Sequence, residues 1–69
     1  MGDFMNTTVW PGKNGKYAVL GYENGRGFRA LVYEEVCGKS HVTHMSHLTL
    51  DYDKAERAFK RFVKLYIKR

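Results

Sequence analysis

Apolar and polar positions alternate in short runs over the first fifty residues, then recur at helical spacing over the last nineteen. The runs Thr7–Trp10, Lys16–Glu23, Phe28–Cys37 and His41–Leu50 are rich in Val, Tyr, Phe and Thr, side chains that suit a pleated, half-buried surface. Asn14-Gly15 and Asn24-Gly25 separate them as hairpin signals, because both central residues of a type I′ turn need positive φ. Gly38-Lys39 suits a type II′ turn, with glycine first. Pro11 cannot donate to a ladder, so the first strand is predicted at an edge. These signals predict a four-strand antiparallel meander.

After Leu50 the period changes. Ala55, Phe59, Phe62, Val63 and Tyr66 fall on one helical stripe, widened by Ala58 and Leu65. Asp51 is the expected N-cap, Asp53 complements the positive end of the dipole, and Lys68 and Arg69 suit the other end. The helix is placed over about 52–68. The predicted fold class is α+β: one small domain over residues 1–69, ββββα, with a C-terminal amphipathic helix packed on one face of the sheet.

Hairpin turns fix which residues oppose each other, so they also predict the faces. Even-length loops place Trp10, Tyr17, Val19, Phe28, Ala30, Val32, Val36, Thr43 and Met45 on one face, with Glu34 its only charge. The other face then carries Val9, Leu20, Tyr22, Arg29, Leu31, Tyr33, Glu35, Val42, His44 and Leu48. One helix covers one face, and the larger, less charged Trp10 face is assigned to it. The opposite face is left open, with leucines and tyrosines beside Arg29 and His44, and reads as an interaction surface. As a protein-binding patch it would use Leu20, Tyr22, Leu31, Tyr33 and Leu48.

Composition narrows the class. Sixty-nine residues give one domain with no room for a two-domain enzyme or a buried cofactor. The hydrophobic fraction of 43% is that of a folding chain, not of a basic disordered tail. A single cysteine, Cys37, cannot form an intramolecular disulfide, so a reducing, cytoplasmic compartment is expected. Asp3, Asn6 and two threonines interrupt the first apolar stretch, which argues against a signal peptide, and no run approaches a membrane span.

The net charge of +5 is unevenly spread. Residues 51–69 hold seven basic and three acidic side chains, against five and four in the rest of the chain. At 100° per residue, Lys54, Arg57, Lys60, Arg61, Lys64 and Lys68 fall within one sector of roughly 100°, opposite the Phe stripe. Glu56 sits away from this sector, so the ridge has no interleaved acid and matches phosphates.

Other chemistry-bearing residues are poorly spaced for catalysis. His41 and His47 lie roughly 20 Å apart along an extended strand, and His44 points to the opposite face, so no shared metal ion is expected. Cys37 has no evident base, Glu34 and Glu35 point to opposite faces, and the glycines sit in hairpins rather than in a phosphate loop. The expectation is a binding protein with no catalytic residue, no metal and no cofactor.

From Asn14 to Lys64 the chain shows an Asn-Gly-Lys-Tyr hairpin, a Gly-Arg-Gly-Phe-Arg strand, a polar third strand and the helix start Asp51 to Phe59. This order resembles the small sheet-plus-helix DNA-binding modules of the AP2 type and the arm-binding domains of tyrosine integrases. The resemblance implies an open sheet face laid in the major groove, with Arg29, Tyr33 and His44 as groove contacts and Lys16, Arg26 and Lys39 near phosphates. The leading expectation is therefore a small non-enzymatic nucleic-acid-binding protein using ridge and open face. DNA is favoured, duplex slightly over single strands, for which Tyr22 and Tyr33 would form a stacking platform. The alternative is a phage or mobile-element accessory protein that binds and modulates a host protein through the open face, or pairs there with a second copy.

Overall fold

The computed structural model describes residues 4–68, in which four strands form one antiparallel sheet in the order β1-β2-β3-β4, followed by a helix. The strands are β1 (Phe4–Pro11), β2 (Lys16–Glu23), β3 (Gly27–Val36) and β4 (Lys39–Met45). Helix α1 (Tyr52–Phe62) runs on into a π-helical turn at Val63–Ile67. The fold is ββββα, as the periodicity predicts. Asp51 caps α1, its carboxylate accepting from the Asp53 N–H at 3.0 Å.

β4 ends at Met45, short of the expected Leu50, yet the following segment stays tied to β3. Ser46 binds Ala30 twice: its N–H donates to the Ala30 carbonyl at 2.9 Å, and its hydroxyl accepts from the Ala30 N–H at 2.8 Å. Phe28 and Thr49 then exchange two backbone bonds of 2.7 and 2.9 Å. Gly27 makes that approach feasible. Its φ is +127°, and a Cβ there would lie 2.6 Å from the Thr49 carbonyl oxygen.

The register departs from expectation at each hairpin, by one residue at the first two and by two at the third. Asn14 and Gly15 form the predicted turn with φ of 61° and 76°, but the Gly12 N–H binds the Lys16 carbonyl, inserting an extra residue before the turn. Trp10 therefore opposes Ala18, and Val9 opposes Val19. The second connection has three residues, Asn24-Gly25-Arg26, so Val19 opposes Leu31 and no longer shares a face with Ala30 and Val32. The third turn is centred on Cys37 and Gly38, with φ of 55° and 80°, and not on Gly38-Lys39. That displacement alone keeps the faces, but a bulge at Thr43 then exchanges them, so that His44 opposes Val32 and Met45 opposes Leu31.

These single insertions re-sort the faces. The helix covers the side carrying Trp10, Phe28, Ala30 and Val32, as predicted, but Leu20, Tyr22 and His44 belong to that side too. Tyr17, Val19 and Met45 move to the open side. The bulged threonines of the edge strands compensate the disrupted ladders: the Thr7 hydroxyl donates to the Leu20 carbonyl at 2.8 Å, and that of Thr43 to the Val32 carbonyl at 3.3 Å.

The core joins Ala18, Leu20, Ala30 and Val32 of the sheet to Ala55, Phe59, Val63 and Ile67 of the helical segment. The two sheet alanines let the helix approach closely, and burial of Phe59 contributes roughly 1.5–3 kcal/mol. In the π-helical turn the Lys68 N–H reaches back five residues to the Val63 carbonyl at 2.8 Å. Each residue of this wider turn advances by less than 100°. Ile67 is thereby returned to the sheet, while Leu65, predicted at the edge of the apolar stripe, is left exposed.

Candidate nucleic-acid interface

The six ridge cations are all exposed, and the Lys68 ammonium turns back toward the sheet, 4.6 Å from the centre of the Trp10 ring. Of these six cations only Lys60 has an acidic partner within ion-pair range among the described residues, Glu56 at 4.0 Å one turn earlier. This qualifies the expectation of an unneutralised ridge only slightly, because such exposed pairs contribute little. The cations divide into two rows. Lys54, Arg57 and Arg61 border a cleft of about 600 Å³ between α1 and the Ser46–Thr49 segment, joined there by His47. Lys60, Lys64 and Lys68 border a second groove of about 520 Å³ between the helix and β1.

The second groove has an aromatic wall. Trp10 is 40% exposed and stands beside Leu20, Phe59 and Val63, with the Lys68 Nζ 4.6 Å from its ring centroid. Sequence reasoning gave Trp10 to the core alone. The missed signal was its place on an edge strand next to Pro11, where one helix can cover only part of an indole.

The open sheet face is different in kind. Val19 and Leu31 are buried there with no helix above them. Their cover is the Tyr17–Tyr33 pair, stacked at 5.0 Å and 13°, together with Arg29 and Met45 from the same face. Arg29 lies folded on that surface, its guanidinium 3.6 Å from the Glu23 carboxylate and donating to the Met45 sulfur. Burial of Tyr33, and then its proximity to Tyr17, raises the Tyr33 phenol above its ordinary value. Around this centre Val9, Val42 and Met45 remain about half exposed, at 50%, 45% and 54%.

Several expected contacts are placed elsewhere. Leu20 is 1% exposed beneath the helix, and Tyr22 packs at a tilt on Phe28 on the same side. His44 stacks on Tyr66, with centroids 3.9 Å apart, so it is not a contact of the open face. Leu48 lies beyond β4, outside the ladder. Tyr22 and Tyr33 occupy opposite faces and form no joint platform; Tyr17 is the partner of Tyr33. Of the residues assigned to the open face, Val9, Arg29, Leu31, Tyr33, Glu35 and Val42 are where the sequence placed them. Lys16 and Arg26 pair with Glu34 and Glu23, at 3.8 and 3.3 Å.

Among the described residues no His, Cys, Asp or Glu side chains gather in a group able to hold a metal ion, and no helix is long and apolar enough to cross a membrane. The chain matches no protein-family model, no curated protein and no solved structure.

Proposed function

We propose that this is a small non-enzymatic nucleic-acid-binding protein whose affinity comes from the cationic outer surface of its helix. One observation carries the reading: six exposed cations share that surface, and the nearest acid, Glu56, meets only Lys60. Such a surface neutralises phosphates and gains from counterion release. DNA is the favoured polymer on the resemblance to AP2-type and integrase arm-binding modules. The docking mode of those modules fits less well. Arg29 is engaged by Glu23, His44 by Tyr66, and Glu35 shares the open face, so the helix is the better phosphate contact.

The test is binding of a labelled duplex and of a matching single strand by fluorescence anisotropy at low salt. Micromolar or tighter binding that weakens steeply as salt is added is expected. No binding at low salt, or binding indifferent to salt, contradicts the proposal.

A second reading rests on the open face. Val9, Val42 and Met45 surround the Tyr17–Tyr33 stack with apolar surface, a composition that suits a host protein or a second copy better than phosphate. On this reading the chain is a phage or mobile-element accessory protein, and Val42→Asp abolishes its partner contact while leaving the ridge intact.

A further inference from the structure

We propose that the groove between the helix and β1 takes an unpaired base of a single-stranded nucleic acid against Trp10, with the adjoining phosphates on Lys60, Lys64 and Lys68. This rests on the polyanion reading of the ridge and names its ligand more closely.

The groove combines two chemistries that a single strand presents together. Its inner wall is apolar, built from Leu20, Phe59 and Val63 beside the indole of Trp10. Its outer rim is a row of ammonium groups spaced four residues apart, about 6 Å along the axis for the α-helical step from Lys60 to Lys64 and less for the step to Lys68 across the π-helical turn. That step is of the same order as the separation of successive phosphates in an extended strand. The π-helical turn matters for this row: Lys68 follows it directly, and its ammonium is brought over Trp10 instead of being carried further around the helix.

The ring is available. Trp10 is 40% exposed, and what lies over its face is the flexible Lys68 side chain. A base can take that place while the ammonium moves to a phosphate, exchanging a cation–π contact for stacking plus an ion pair. Glu56, one turn before Lys60 on the same rim and 4.0 Å from its ammonium, disfavours a phosphate at that end of the row and can accept from a base N–H. The cleft of about 520 Å³ falls within the range of small-molecule sites, roughly 300–1,000 Å³. Paired bases in a duplex cannot present their faces in this way, so the groove selects single strands. The open sheet face offers no equivalent: its aromatic pair is stacked on itself, and its nearest cation, Arg29, is held by Glu23.

Trp10 is the one tryptophan of the chain, so its fluorescence reports on this groove alone. The experiment titrates the protein at low salt with a 12-mer deoxyribonucleotide strand, an abasic strand of equal length and the corresponding duplex. Quenching by the base-bearing strand only is expected. Trp10→Leu should weaken that strand, measured by anisotropy of a labelled 12-mer, by roughly 5- to 100-fold, bringing it to the level of the abasic strand. Trp10→Phe retains a ring and the packing of β1, and should keep most of the affinity. Equal binding of abasic and base-bearing strands, together with an unchanged Trp10→Leu variant, overturns the base site while leaving the ridge in place. Equal quenching by the duplex overturns the selection of single strands. Failure of all three ligands to bind removes the ridge reading and the base site with it.

Discussion

The two faces of this sheet bury residues equally well by opposite means. On one, Ala18 and Ala30 are small because a helix lies on them. On the other, Val19 is as completely buried as Ala18, yet its cover is made by neighbouring strand side chains: two stacked tyrosines, an arginine folded toward Glu23, and a methionine. Long amphipathic side chains thus shield an apolar centre with their stems, and the Arg29 Nε is itself buried there without a hydrogen-bond partner among the described residues. The comparison also separates the two outer surfaces. Beyond the covered face lies a cationic helix, and beyond the open one an apolar patch of nearly balanced charge.

The largest expected effect distinguishes a helix-packed core from a self-covered one. Phe59→Ala should cost about 3–5 kcal/mol in urea denaturation, since the rigid sheet cannot follow the lost ring. Leu31→Ala should cost only about 2 kcal/mol, at the low end for such truncations, because Tyr33 and Arg29 can settle into the space. Equal costs would show that the open face is firmly covered in solution, and would break the contrast.

Next in size is the connection that leads from sheet to helix. Gly27→Ala places a Cβ against the Thr49 carbonyl at a residue with φ of +127°, so the Phe28–Thr49 bridge must open. A loss of about 1–3 kcal/mol is expected by the same denaturation assay. The smallest effect concerns the open face alone. Tyr33 binds its proton more tightly when folded, so its contribution is complete below about pH 10 and is lost as pH rises through the raised folded value. Tyr33→Phe should flatten the alkaline decline in stability, read by denaturation between pH 9 and 11, and an unchanged decline would assign it to other groups.

Strand order, the Asp51 cap and the helix stripe could be read from the sequence because each depends on local spacing and on turn residues. The faces were legible for β1 and β3 but not for β2 or the end of β4, since they depend on parity. One extra residue at Gly12, a third residue in the Asn24-Gly25-Arg26 loop and the bulge at Thr43 each invert a strand's side chains. Nothing in local propensity marks Thr43, whose hydroxyl bond to Val32 exists only in the assembled sheet. The ridge was legible because helical geometry alone determines it. The Trp10 groove was not, because it needs β1 and the end of the helix brought together.

The separation of surfaces is tested by the salt dependence of binding in two variants. For the unaltered chain, the logarithm of affinity for a short single strand should fall against the logarithm of salt with a slope of about −3 to −4, from four to six phosphate contacts. Lys60→Glu with Lys64→Glu should reduce that slope by about 2 and weaken binding at every salt concentration, whereas Val42→Ser with Met45→Ser should leave both unchanged. A slope untouched by the lysine reversals, or lost on altering Val42 and Met45, would place binding on the open sheet face and contradict the assignment of phosphate contact to the helix.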